Sequence, residues 1–240
     1  MGLQQPDERL SQIETQWTAL LRAHGAGTES ARDARDRLVL HYSGAVYRYL
    51  LGATRNPEVA SDLCQEFAVR FLRGDFRRAA PERGRFRDYV KTALVNLVND
   101  HHRARQAGPK PLAIDAPAHD PPSEDDFLAG WRQSLLDQTW NALGEDNPGV
   151  RAVLLLRIEN PDMPSPEMAE RLTAQLGKPM TPENVRKSLQ RAHSKFADLL
   201  LEQVARSLDY TTDDDLEAEL RATDLLRYCA SALDRRRGKA

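Results

Sequence analysis

Cysteine is scarce: two in 240 residues, Cys64 and Cys229. They lie far apart, one on a predicted buried face, and Cys64 has no partner at zinc spacing. With no signal peptide, a reduced cytoplasmic protein is the expectation. Long apolar runs are missing too. None approaches the roughly 20 residues needed to cross a bilayer, so membrane insertion is not expected. Aromatics are sparse at 6% while charged residues reach 29%, a balance that suits small helical domains with modest cores. The chain lacks a phosphate-binding glycine motif, a G-x-S-x-G elbow and a credible nucleophile–base pair, so no enzyme and no cofactor is expected. Asp100-His101-His102 invites a metal reading, but neighbouring helical residues point about 100° apart and do not make one ligand set. Neither sign of charge dominates, since 34 Lys and Arg face 36 Asp and Glu for a net −2.

Against that even balance one stretch stands out. From Arg70 to Lys110, eleven basic residues face four acidic ones, and the simplest partner for such an excess is a polyanion. The stretch sits within residues 57–105, which read as two amphipathic helices joined by a basic, glycine-bounded loop. In Pro57–Arg73, Ala60, Leu63, Cys64, Phe67 and Phe71 share one face, and Asp62, Gln65, Glu66, Val69 and Arg73 form the opposite stripe. The helix from about Phe86 buries Phe86, Val90, Ala93, Leu94 and Leu97 and turns Lys91, Asn99, His102 and Arg103 outward. Arg77, Arg78, Arg83 and Arg85 are candidates to neutralise a nucleic-acid backbone. Phe76, Phe86 and Tyr89 could stack on bases, with Phe86 assigned to the core by its helical phase.

The rest of the chain also reads as helix. A first helix spans about Pro6 to Arg22, with Ile13, Trp17, Leu20 and Leu21 as its stripe, and a second runs from about Ser30 to Leu51. Asn56-Pro57, Asn147-Pro148, Ser165-Pro166 and Thr181-Pro182 each place a capping side chain before a proline, which marks helix starts. Residues 106–126, rich in proline, form a linker. The pattern resumes near Phe127 with Trp131, Leu135, Leu136, Trp140 and Leu143, and residues 148–159 follow through Val150, Val153, Leu154 and Ile158. Ser165–Leu176, Gly177, the turn Lys178-Pro179-Met180 and a long helix capped by Thr181 make a helix-turn-helix pattern. On that last helix Val185, Leu189, Ala192, Phe196 and Leu199 face inward. Asn184, Arg186, Lys187, Gln190, Arg191 and His193 face outward, side chains of the kind that read base edges. Beyond residue 208, Thr212 before Asp213-Asp214-Asp215 marks a helix start, and the apolar residues from Leu216 to Leu233 fit one or two short helices. This tail reads either as a cap packed on the preceding domain or as a docking or autoinhibitory element.

Particular motifs resemble a known family. D-L-x-Q-E-F at Asp62–Phe67, F-x-x-Y-V at Phe86–Val90 and N-x-x-x-D-x-x-R at Asn96–Arg103 resemble the second conserved region of bacterial sigma factors. They are most similar to the extracytoplasmic-function (ECF) group of the sigma-70 family. Tyr89 and Ala104 stand where the family usually has Trp and Arg. V-R-x-S-L-x-R-A at Val185–Ala192, preceded by VLLLR, resembles the fourth region, with His193 replacing a common Arg. The resemblance implies an all-α protein of two helical domains. Residues 1–105 would form a region 2-like bundle, 106–126 the linker, 127–208 a region 4-like helix-turn-helix domain, and 209–240 a C-terminal helical extension.

It further implies a sigma factor that directs promoter-specific initiation. Asp62, Gln65, Glu66, Val69 and Arg73 would dock on the clamp helices of core RNA polymerase, and the second domain would meet the flap. Phe76, Arg77, Arg78, Arg83, Arg85, Tyr89, Lys91, Asn99, His102 and Arg103 would hold and melt the −10 element of promoter DNA. Thr181, Asn184, Arg186, Lys187, Gln190, Arg191 and His193 would read the −35 element. Ser61 stands where the family often has Glu and is a candidate phosphorylation site, which leaves room for a regulatory kinase or an anti-sigma factor as a further partner. The alternative is a helix-turn-helix regulator that acts without polymerase and dimerises through its front half. The polar Asp62-Gln65-Glu66 stripe argues against that, because a dimer face is more apolar.

Overall fold

The structure, a computed structural model, describes residues 29–73, 86–107, 123–208 and 212–238. The expected helix over 6–22 and most of the linker lie outside the described residues. So do Phe76, Arg77, Arg78, Arg83 and Arg85, and the side chains of Phe86 and Tyr89. The described residues form nine helices and no strand. They are α1 (Glu29–Thr54), α2 (Pro57–Arg73), α3 (Phe86–Ala107), α4 (Glu124–Asp146), α5 (Pro148–Glu159), α6 (Ser165–Leu176), α7 (Pro182–Arg206), α8 (Asp213–Ala222) and α9 (Leu226–Arg237). The all-α expectation is met. The chain divides into two units, the first holding the described residues within Met1–Ser134 and Ser207–Asp209, and the second those within Leu135–Arg206 and Tyr210–Ala240. The division falls inside α4, after Ser134.

In the first unit, α1 buries Tyr42, Ser43, Ala45, Val46, Tyr47, Tyr49, Leu50 and Ala53, so this part of the helix is enclosed on more than one face. The Asn56 side-chain oxygen accepts from the backbone N–H groups of Glu58 (2.9 Å) and Val59 (3.3 Å), and Pro57 opens α2 without wasting a donor. α2 then contributes Ala60, Leu63, Cys64, Phe67 and Ala68 to the core, and α3 contributes Val90, Leu94, Leu97 and Val98. α4 begins at Glu124 rather than Phe127. Ser123 and Asp126 form a reciprocal cap, in which Asp126 N–H donates to Ser123 Oγ (3.1 Å) and Ser123 N–H to the Asp126 carboxylate (2.9 Å). That cap and the helical end of α3 at Ala107 place both margins of the 106–126 stretch inside helices.

The second unit packs α5, α6 and α7 around Val153, Leu156, Met163, Met168, Ala169, Leu172 and Val185. A second cluster of Leu143, Leu154 and Ala192 is lined by Trp140, Val150, Phe196 and Leu199. Two sequence expectations are corrected here. Ile158 is 55% exposed and Leu156 is buried in its stead; Val153–Ile158 is apolar on nearly every face, so its pattern carried little phase information. Ser165 is not the cap of α6, for Pro164 holds that position, makes no side-chain cap bond, and leaves Ser165 inside the first turn. Asn147 and Thr181 do cap, accepting from Val150 N–H (3.0 Å) and Asn184 N–H (3.1 Å).

The tail forms two helices packed on the C-terminal half of α7. Leu216, Leu220, Leu225, Cys229, Ala232 and Leu233 are buried, while Tyr228, grouped with them from sequence, is exposed. Thr212 and Asp215 close a capping box at the start of α8. Cys229 Sγ lies 3.9 Å from the Ala197 carbonyl, and Arg235 pairs with Asp198 at 2.6 Å. Arg236 reaches Asp213 (2.8 Å), and Arg237 reaches Asp214 (3.1 Å) and Glu217 (2.8 Å). The terminal arginine triplet therefore faces carboxylates of its own unit.

Candidate nucleic-acid and partner interface

The stripe on α2 forms as its spacing predicts. Asp62, Gln65, Glu66 and Arg73 are exposed, Val69 and Ser61 are half-buried, and all lie opposite the buried row. Sequence reasoning missed Arg70 on this face. Its guanidinium meets Glu66 at 2.5 Å and Asp100 of α3 at 3.7 Å, so it ties the acidic stripe to the next helix. The i, i+4 spacing of Glu66 and Arg70 was the available signal. His101, beside this network, is half-buried with Nε2 unpartnered among the described residues. Burial, then His102 and Arg105, hold its pKa below the ordinary value, against a smaller opposing pull from Glu66.

On α3, Asn99, His102 and Arg103 are exposed, and Arg103 lies 3.3 Å from Asp100. Lys91 corrects the expectation of an outward residue, because its side chain is only 25% exposed and its ammonium sits 3.0 Å from Glu124 at the start of α4. Arg87 is buried at 7% exposure, which takes one of the basic charges of this stretch off the surface.

The helix-turn-helix is held by the stop the sequence places at Gly177 and by two pins, Thr173 and Arg157, that sequence reasoning did not single out. Gly177 ends α6 in the left-handed region (φ 64°, ψ 19°), where a side chain is disfavoured. Thr173 Oγ1 donates to the Ala169 carbonyl (2.7 Å) and accepts from Met180 N–H (2.9 Å), which fastens the turn back on α6. Arg157 donates to the carbonyls of Pro161 (2.7 Å) and Met163 (2.9 Å), fixing the connection from α5 to α6. With the turn held, Thr181, Asn184, Arg186, Lys187, Gln190, Arg191 and His193 are all exposed on the first half of α7. Lys187 pairs with Glu183 at 2.8 Å, both more than half exposed, and such a pair contributes about 1 kcal/mol or less. α9 contacts α7 at Ala197 and Asp198, beyond this row. An open groove of about 580 Å³ near the start of α5 is lined by residues including Gly144, Arg151, Leu155 and Gln175.

No helix among the described residues is long and apolar enough to cross a membrane. No curated protein and no solved structure matches the chain significantly. Residues 38–108, which contain most of α1 and all of α2, with its stripe, and of α3, match the family described as sigma-70 region 2, and this match supports a sigma-70 family sigma factor with a role in RNA polymerase binding and promoter melting.

Proposed function

We propose that this chain is an ECF-type sigma factor that docks on core RNA polymerase through α2 and reads a bipartite promoter. The observation that carries the reading is the order of parts. A region 2 match over residues 38–108 is followed by a helix-turn-helix whose second helix exposes Asn184, Arg186, Lys187, Gln190, Arg191 and His193. Asp62, Gln65, Glu66, Val69 and Arg73 contact the polymerase clamp. The loop residues Phe76, Arg77, Arg78, Arg83 and Arg85, with Tyr89, Lys91, Asn99, His102 and Arg103 of α3, take the −10 element. The exposed half of α7 takes the −35 element. The exposed Ile158 offers an apolar contact for the flap. Ser61, half-buried one residue before Asp62, is where a phosphate would strengthen docking on a basic clamp. The chain acts in the cytoplasm and supplies recognition, while the polymerase supplies the chemistry.

Reconstitution tests this directly. Core polymerase plus this protein should start transcripts at discrete promoters, and Asp62→Ala with Glu66→Ala should weaken core binding while the helical content stays that of wild type. Arg186→Ala and Arg191→Ala should each cost about 1–3 kcal/mol at an upstream element wherever the side chain makes a bidentate base contact. A chain that binds promoter DNA but not core polymerase would establish the stand-alone regulator instead.

A further inference from the structure

The seam between α1 and the first turns of α4 lies wholly inside the first unit, yet residues 123–134 fall outside the matched region 2 segment. Trp131 stacks on Tyr42 with ring centroids 4.2 Å apart, and Phe127 meets Tyr49 edge-on at 5.7 Å. All four rings are at most 3% exposed. Glycines let the two helices approach. A Cβ on Gly44 would stand 2.9 Å from Ser134 Oγ, and one on Gly130 would stand 3.5 Å from Arg48 Cβ. At the edge of the seam Glu124 holds Lys91 of α3 at 3.0 Å.

Two details bear on how firmly this seam is held. Tyr49 Oη and Trp131 Nε1 are buried in it without a hydrogen-bond partner among the described residues. Buried donors in that state weaken the docked arrangement, and lifting α4 would return both to water. Secondly, the helix leads with Glu124, Asp125 and Asp126, so the charge presented to Lys91 is of the same sign as a nucleic-acid backbone.

We propose that residues 123–134 act as an intramolecular competitor for the nucleic-acid face of the first unit. Docked, Glu124 neutralises Lys91 and the aromatic seam holds the acidic helix start in place. When backbone phosphates take Lys91, the start of α4 lifts from α1. This rests on the reading that α3 faces DNA.

The seam can be locked. A Cβ on Gly44 lies 3.8 Å from Ser134 Cβ, within the Cβ–Cβ span of a disulfide, about 3.5–4.5 Å. Both native thiols are buried and do not compete. Full-length Gly44→Cys/Ser134→Cys protein, oxidised or reduced, is titrated against a labelled single-stranded oligonucleotide of mixed sequence at matched low salt. The oxidised form should bind about fivefold or more weakly than the reduced form, the order expected if opening must precede phosphate contact at Lys91. Glu124→Gln in the wild-type background should bind about two- to fivefold tighter than wild type, the scale of one ion pair with a solvent-facing carboxylate, and adding Lys91→Ala should cancel that gain. Equal affinities of the oxidised and reduced forms, in a chain whose binding Lys91→Ala weakens, would overturn the competitor and leave the DNA reading standing. If the paired-cysteine protein misfolds, Glu124→Gln decides alone, and an unchanged affinity overturns the proposal. A wild-type chain that binds no oligonucleotide would remove the DNA reading and the competitor together.

Discussion

Replacing Leu225 by Ala asks what holds the C-terminal helices to the second unit. Leu225 is 0% exposed, as are Leu216, Leu220 and Cys229 around the α8–α9 turn. Truncating a fully buried leucine costs about 2–5 kcal/mol, the lost transfer energy plus the cavity left behind. Arg235 makes the ion pair that joins α9 to α7, 2.6 Å to Asp198, but the two side chains remain 42% and 53% exposed. Solvent screening and side-chain entropy hold such a pair below about 1 kcal/mol. A domain is stable by only about 5–15 kcal/mol in all, so Leu225→Ala should remove a large share of the second unit's stability and Arg235→Ala very little. Urea titration followed by circular dichroism separates them. With a slope of about 1–3 kcal/mol per molar, Leu225→Ala should lower the midpoint by about 1 M or more and Arg235→Ala by well under that. The reverse order would refute the argument, since it would mean that charges and not packing fasten the tail.

Other expectations follow from the same structure. Burial pushes the Cys64 thiol above its usual value and lifts Cys229 up to about 12, where Asp198 adds a smaller push in the same direction; both should resist a thiol reagent until the protein unfolds, and fast reaction of either in native buffer would contradict the packing. Glu217 has its pKa lowered, first by the hydrogen bond from Arg221 and then by that from Arg237. Its stabilising effect is therefore complete above the ordinary value of 4.5 and is lost as the pH falls through the lower folded value. Glu217→Gln should flatten that acid limb in thermal melts across the carboxylate range. Gly177→Ala should destabilise the helix-turn-helix by about 1–2 kcal/mol from the left-handed backbone alone, because a Cβ there meets nothing within 4 Å. Gly177→Asn should cost less, and equal melting temperatures for all three proteins would show that the turn does not need this conformation.

Local chemistry in the sequence determined most of the helices and their faces. A proline after Asn56, Asn147 and Thr181, with glycine at 177, set helix ends that need no distant partner, since caps satisfy backbone groups within one turn. Strong periodicity in Pro57–Arg73 and in Pro182–Leu199 separated the buried row from the exposed one, which is why the stripe on α2 and the outward row on α7 were legible. Where the pattern was apolar on every side, as at Val153–Ile158, phase was lost, and tertiary packing chose Leu156 over Ile158. Tertiary structure alone decided that Lys91 meets Glu124, that Arg70 also reaches Asp100, and that the terminal arginines face Asp198, Asp213, Asp214 and Glu217. Charges on a helix state only which side faces water. Which opposite charge they meet depends on how helices far apart in the chain come to cross, and that is fixed by the apolar contacts between them, such as Trp131 on Tyr42.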